Sequence, residues 1–194
     1  MIAGLPDSRL YWNVPHRLNP ANLLTIARLL AVPFVLWAIL GRHADAALAI
    51  LGAAALTDAL DGIVARRFAL ETRLGAYLDP IADKLLASGV FVALAVVGSV
   101  PVWLVVLIFA RDLMILAGAA GALLFTRRRS FPPSGWGKAS TFVQIACALA
   151  AMLRDAWREP ALETVAGALV WPAGVLTVWS GIHYAWRFLR TSPD

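Results

Sequence analysis

The sequence predicts an all-α, polytopic membrane protein with six transmembrane helices and an N-terminal interfacial segment. Three observations carry this. The chain of 194 residues is 60% hydrophobic and 15% charged, with a mean hydropathy of +0.73. A soluble domain is nearer about 45–50% apolar and about 25% charged. Apolar stretches long enough to cross a hydrocarbon core of about 30 Å recur along the chain, separated by short polar turns. Arginine and lysine collect in alternate loops, as the positive-inside rule requires.

Taken in order, residues 1–20 mix Leu5, Leu10, Tyr11, Trp12 and Val14 with Asp7, Arg9, His16 and Arg17. They read as an interfacial segment whose aromatics sit at headgroup depth. Residues 21–190 form the membrane domain. Asn22 is placed to cap a first span that runs to Leu40 and bends at Pro33. Gly41-Arg42-His43 turns the chain into a second span, Ala44 to Phe68. A basic loop from Arg67 to Arg73 leads to a third, Leu74 to Val97. Gly98 to Pro101 is a tight turn before the fourth, Val102 to Phe125. The polar loop from Arg127 to Lys138 precedes a fifth, Ala139 to Leu153. A charged turn, Arg154 to Pro160, precedes the sixth, Ala161 to Leu189, bent near Pro172.

One side of the membrane collects Arg9, Arg17, Arg67, Arg73, Arg127–Arg129, Lys138, Arg187 and Arg190. The other has Arg42, Arg154 and Arg158, offset by Asp45, Asp155 and Glu159. Both termini are therefore expected on the cytoplasmic side. The net charge of +5 and pI of 10.1 follow from this asymmetry, so no nucleic-acid partner is inferred. Scarce lysine beside abundant arginine and alanine suits a GC-rich bacterial genome, hence a bacterial inner membrane. No cleavable signal peptide is expected. Cys147 stands alone in an apolar run and reads as a buried structural thiol. His16, His43 and His183 lack metal-ligand spacing. The tryptophans at 12, 103, 136, 157, 171, 179 and 186 fall mostly near span ends, as interface anchors do.

Against this apolar background stand Asp58, Asp61, Asp79 and Asp83. Asp58 and Asp61 are three residues apart, and Asp79 and Asp83 are four apart, so on helices each pair shares a face. Each carboxylate at a bilayer centre costs about 2.5–3.5 kcal/mol on the insertion scale. Such a cluster persists near water, around cations, or both. All-oxygen donors suit hard divalent ions, Mg²⁺ or Mn²⁺. A pair of ions would clamp a phosphoanhydride and neutralise its charge as it breaks. Gly62 and Gly75 allow close approach to the backbone, Arg66 can meet phosphate, and Pro80 loosens the third helix beside the site. One carboxylate can accept a proton from an attacking hydroxyl. A solvated loop with ordinary helix capping would explain one or two of the aspartates, but not two same-face pairs. A divalent-cation transporter would use the carboxylates but not Arg66, and no internal repeat supports one.

The pattern D-x2-D-G-x2-A-R-x8-G-x3-D-x3-D, formed by Asp58, Asp61, Gly62, Ala65, Arg66, Gly75, Asp79 and Asp83, resembles the signature of the CDP-alcohol phosphatidyltransferases. The resemblance implies a multi-pass membrane enzyme, commonly a homodimer, that displaces CMP from a CDP-linked donor with an alcohol, using two divalent metals. It implies that Asp58, Asp61, Asp79 and Asp83 ligate the metals and that Asp83 is also the general base. It places Asp58, Gly62, Ala65, Arg66 and Gly75 around the CDP moiety.

Asn22 to Arg28 and Leu78 to Leu85 resemble the branch holding phosphatidylglycerophosphate synthases and cardiolipin synthases, both of which use CDP-diacylglycerol. The former usually show Ala-Arg-Glu in the fourth span and a second arginine two turns later. Here Ala110-Arg111-Asp112 is followed by Ala119. This is more similar to the cardiolipin synthases, whose acceptor, phosphatidylglycerol, carries one phosphodiester charge; glycerol 3-phosphate is the alternative acceptor. Arg111 and Lys138 are the candidates for the acceptor phosphate, with a salt bridge as the structural alternative for Arg111. Arg111 and Asp112, about 100° apart on one helix, are not expected to pair with each other. Lys84 balances the aspartate charge or snorkels. The Arg127–Arg129 run sets topology.

Overall fold

A computed structural model describes the backbone of residues 20–68, 73–125 and 135–189 and the side chains of 29–57, 82–118 and 135–187. Among the described residues there are six helices and no strand: α1 Pro20–Leu40, α2 Ala44–Phe68, α3 Arg73–Val96, α4 Val102–Phe125, α5 Gly135–Trp157 and α6 Pro160–Leu189. The expected interfacial segment falls outside them, apart from Pro20. Helix α1 begins at Pro20, so Asn22 sits inside its first turn and is not its cap; proline suits the first helical position, where its missing N–H is not needed. Helices α1 and α6 run continuously through Pro33 and Pro172.

The larger departure is α5. It starts at Gly135, four residues before the expected Ala139, and continues to Trp157. Two glycines argue against helix there. Packing overrides that preference, because Trp136 meets Trp179 edge-on at 6.1 Å and ties the first turn to α6. The charged Arg154 to Trp157 stretch is the last turn of the same helix.

The turns are closed by left-handed caps. Arg42 and Gly98 have φ of 59° and 81°. His43 N–H donates to Ala38 O at 2.8 Å, and Ser99 N–H to Leu94 O at 2.8 Å. These are the six-to-one bonds of Schellman caps on α1 and α3. Arg158, φ 54°, ends α5 with its N–H on Arg154 O at 2.9 Å. The three turns meet at one end of the bundle. Arg42 donates to Val97 O at 3.1 Å, Arg154 to Ser99 O at 3.1 Å, and the Ser99 hydroxyl to Asp155. These turns line a cavity of about 290 Å³.

Helix α1 packs on α2 and α3, α4 on α6 and α3, and α5 on α6, α2 and α3. The core holds Val35, Leu94, Leu104, Cys147 and Met152, so the thiol is buried as expected. Trp103 packs so close to α6 that a Cβ at Gly174 would come within 2.8 Å of its ring. The outer surface is more apolar than that of a soluble protein, and a few polar side chains lie inside. Ser140, Gln144, Thr177 and Ser180 are buried, while Phe34, Trp37, Val96, Phe142 and Trp171 are exposed. Gln144 Nε2 donates to Thr177 Oγ1 at 2.7 Å and to Ser140 Oγ at 3.2 Å, tying α5 to α6 as polar residues do inside bilayers. Among the described residues, α5 and α6 are long and apolar enough to cross a membrane, while Leu29–Leu40 and Ala44–Thr57 are shorter apolar stretches.

Candidate active site

The backbone carries Asp58, Asp61, Gly62, Ala65 and Arg66 on α2, and Gly75, Asp79 and Asp83 on α3. Both segments are helical throughout, so the spacings of three and four do set each aspartate pair on one face. Helix α3 also continues through Pro80. Helices α1 and α5 each pack against both aspartate-bearing helices. The side chains of Asp58, Asp61, Gly62, Ala65, Arg66, Gly75 and Asp79 lie outside the described residues. Asp83 is exposed, directly after the fully buried Ala82. It lies ten residues on from Arg73, which is about 15 Å along the helix axis.

Helices α4, α5 and α6 meet around one guanidinium, that of Arg111. Arg111 lies nine residues into α4, about 14 Å from its start. Its side chain is only 12% exposed. A charge so placed needs partners, because desolvation costs several kcal/mol per ion, order of magnitude. It has three. Nε donates to Ser180 Oγ of α6 at 3.0 Å. The NH1 group donates to Asp112 Oδ1 at 2.8 Å. The guanidinium carbon stands 5.9 Å from the centroid of the Tyr184 ring. The pairing with Asp112 corrects the expectation that these neighbours would not meet. Their Cα–Cβ bonds diverge, but the three methylenes of arginine let its head swing round the helix.

Lys84, expected to balance the aspartate charge or to snorkel, reaches α4. Its Nζ is 3.6 Å from Asp112 Oδ2. Asp112 therefore takes a cation on each oxygen, one from α3 and one from its own helix. Lys138 is exposed in the first turn of α5, and no described residue pairs with it. The residue before it, Gly137, is buried where α5 passes Tyr184 and Arg111. The structure thus brings Arg111 and the helix turn carrying Lys138 together. The partners Ser180 and Tyr184 were not singled out from sequence. The available signal was Ser180 and Tyr184, four apart and polar in an apolar helix.

No group of three described His, Cys, Asp or Glu side chains could hold a metal ion. The four-aspartate set includes three side chains beyond those described. Its chemistry, all oxygen and anionic on two helices, fits Mg²⁺ or Mn²⁺. His183 has a buried Nδ1 with no hydrogen-bond partner among the described residues.

The bundle thus carries paired carboxylates on α2 and α3 and an ion-paired guanidinium on α4, with large apolar side chains on its outer surface. The chain belongs to the CDP-alcohol phosphatidyltransferase family, whose model matches residues 18–179. It is 38% identical over 179 residues to a probable phosphatidylglycerophosphate synthase of Mycobacterium tuberculosis, covering 89% of this chain and 82% of that one. It is 34% identical over 180 residues to a CMP-forming cardiolipin synthase of Streptomyces coelicolor, covering 87% and 82%. It is 37% identical over 174 residues to a CDP-diacylglycerol–glycerol-3-phosphate 3-phosphatidyltransferase of Escherichia coli, covering 86% and 92%.

Proposed function

We propose that this protein transfers a phosphatidyl group from CDP-diacylglycerol to phosphatidylglycerol, releasing CMP and forming cardiolipin. The observation that carries the acceptor assignment is on α4. One guanidinium is present, its charge is shared with Asp112, and Ala119 stands where a second arginine would serve a dianion. A phosphodiester with one negative charge matches that arrangement.

In this reading Asp58, Gly62, Ala65, Arg66 and Gly75 hold the CDP moiety. Asp58, Asp61, Asp79 and Asp83 hold two divalent ions, Mg²⁺ or Mn²⁺, which supply charge neutralisation at the phosphoanhydride when bound. Asp83 takes the proton from the acceptor hydroxyl. The hydroxyl oxygen bonds to the phosphorus that bears diacylglycerol. The P–O bond to the CMP phosphate breaks, and CMP leaves with the electron pair. Arg111 and Lys138 hold the acceptor phosphate, which fixes the hydroxyl relative to Asp83.

A second reading is phosphatidylglycerophosphate synthesis from glycerol 3-phosphate. The names of the Mycobacterium and Escherichia relatives favour it. All six helices, 21 to 30 residues long, are proposed to cross a bacterial inner membrane, with residues 1–20 at the interface. Both termini and the aspartates face the cytoplasm in this reading, and the enzyme is a homodimer. The deciding experiment is CMP release by purified protein with CDP-diacylglycerol and Mg²⁺ or Mn²⁺, with each acceptor in turn and the lipid product identified. Cardiolipin from phosphatidylglycerol supports the proposal. Product from glycerol 3-phosphate alone replaces it with the second reading. Metal binding without CMP release under any condition leaves a cation transporter.

A further inference from the structure

We propose that Asp112 is a positioning residue for the acceptor: it fixes Arg111 at a set distance from the helix that carries Asp83. The inference rests on the transferase reading above and adds a specificity-setting role that the aspartate pattern does not contain.

The geometry assigns each edge of the Arg111 guanidinium. Nε is taken by Ser180 and NH1 by Asp112. The NH2 group faces the first turn of α5, 3.3 Å from where a Cβ of residue 137 would stand. The Tyr184 ring covers the joint at 5.9 Å. A guanidinium held on two edges offers the third in one direction, and a planar fork recognises a phosphate only when so fixed. Ser180 alone would leave the plane free to rotate about a single hydrogen bond. Asp112 supplies the second.

The other oxygen of Asp112 sits 3.6 Å from Lys84 Nζ, and Lys84 follows Asp83 in the chain. One carboxylate thus links the acceptor-binding cation on α4 to the base-bearing turn of α3. In any acceptor the attacking hydroxyl and the phosphate are covalently joined at a fixed reach. The spacing between Asp83 and Arg111 must match that reach, and Asp112 bonds to Arg111 on one side and meets Lys84, the neighbour of Asp83, on the other. It also sets charge. Lys84, Asp112 and Arg111 together carry one net positive charge, which suits one negative charge on the acceptor. Without the carboxylate the same group would carry two.

The test is a steady-state comparison of wild type, Asp112→Asn, Asp112→Glu, Arg111→Ala and the Arg111→Ala/Asp112→Asn pair. KM is measured separately for donor and acceptor, and Tm for each variant. Asp112→Asn is expected to raise the acceptor KM about tenfold, a typical coupling between contacting residues. Its kcat and donor KM should stay within about twofold, a shift too small to be one of these couplings. Asp112→Glu should recover part of the loss, and the pair should be no worse than Arg111→Ala. Equal changes in donor and acceptor KM, or losses that multiply in the pair, would overturn the proposal. So would an acceptor KM that Asp112→Asn leaves unchanged. Absence of CMP release by wild type rejects the transferase reading instead. In that case thermal shift by glycerol 3-phosphate, present in wild type and lost in Asp112→Asn, still decides the role of Asp112.

Discussion

The Tyr184 hydroxyl and Gly137 leave no space between them. A Cβ built on residue 137 would lie 2.9 Å from that oxygen and 3.3 Å from the NH2 of Arg111. Helix α5 therefore passes Tyr184 and Arg111 at a residue that has no Cβ to displace them. Gly137→Ala is expected to push the Tyr184 ring and the guanidinium it covers. Overpacking of this kind costs about 1–3 kcal/mol. The expected outcome is a lower Tm in detergent together with a raised acceptor KM, while the donor KM holds. An unchanged acceptor KM would mean that Tyr184 yields without disturbing Arg111.

Arg111→Lys separates charge from shape. Lysine keeps the positive charge but has one ammonium in place of a fork, so it cannot meet both Ser180 and Asp112 in one plane. The acceptor KM should rise nearly as much as in Arg111→Ala, with donor affinity unaltered. If lysine restored full activity, Arg111 would act through charge alone.

How much of this was legible beforehand differs by residue. The helical spacing of Asp58, Asp61, Asp79 and Asp83 needed only the register of one helix each, and the backbone bears it out. The partners of Arg111 depended on how α4, α5 and α6 lie against one another, and no local pattern encodes that. The start of α5 at Gly135 depends on tertiary packing for the same reason. Its two glycines look like loop chemistry until Trp136 and Gly137 are seen packed on α6. The contact between Arg111 and Asp112 was excluded on Cβ directions alone. That argument holds for short side chains and fails for arginine.

Asp83→Asn removes a base while keeping the side-chain shape. Loss of a general base lowers rate by about 10²–10⁴-fold, and loss of a metal ligand would add to that. The expected result is no measurable CMP release, with CDP-diacylglycerol binding partly retained by equilibrium dialysis or thermal shift. Chelation of divalent ions should abolish wild-type turnover, and Mg²⁺ or Mn²⁺ should restore it. Turnover by the variant at the wild-type rate would move the base to another carboxylate.

The Gln144 amide links α5 to α6 through Thr177 and also reaches Ser140 of its own helix. Gln144→Leu preserves volume and leaves Thr177 bonded to Ala173 O at 2.6 Å. Interhelical hydrogen bonds inside membranes average about 0.6 kcal/mol, with a maximum near 1.7. Unfolding in detergent should register a loss of that size, with kinetic constants close to wild type. A larger loss would show that Ser140 and Thr177 cannot satisfy each other across their 3.5 Å separation.

At the far end of the bundle, Ser99 donates its hydroxyl to Asp155, and Arg154 donates to Asp155 Oδ1 at 2.8 Å and to Ser99 O at 3.1 Å. This network ties the turn between α3 and α4 to the last turn of α5. The Asp155 side chain is 29% exposed, so solvent screens the pair and the charge contribution is small, about 1 kcal/mol or less. Asp155→Ala should lower Tm by a few degrees, about what 1 kcal/mol does in a domain of this size. Ser99→Ala should cost nearly as much, and the double variant little more than either, because the two groups act on each other. Neither should alter kcat or either KM at permissive temperature. Arg111 lies about 14 Å down α4 from this end, and the core between holds Leu94, Leu104 and Ile108, packed and apolar. A fall in kcat without a fall in Tm would mean that this end of the bundle is mechanically coupled to the aspartate-bearing helices. The caps on α1 and α3 would then be part of the catalytic apparatus and not only of its frame.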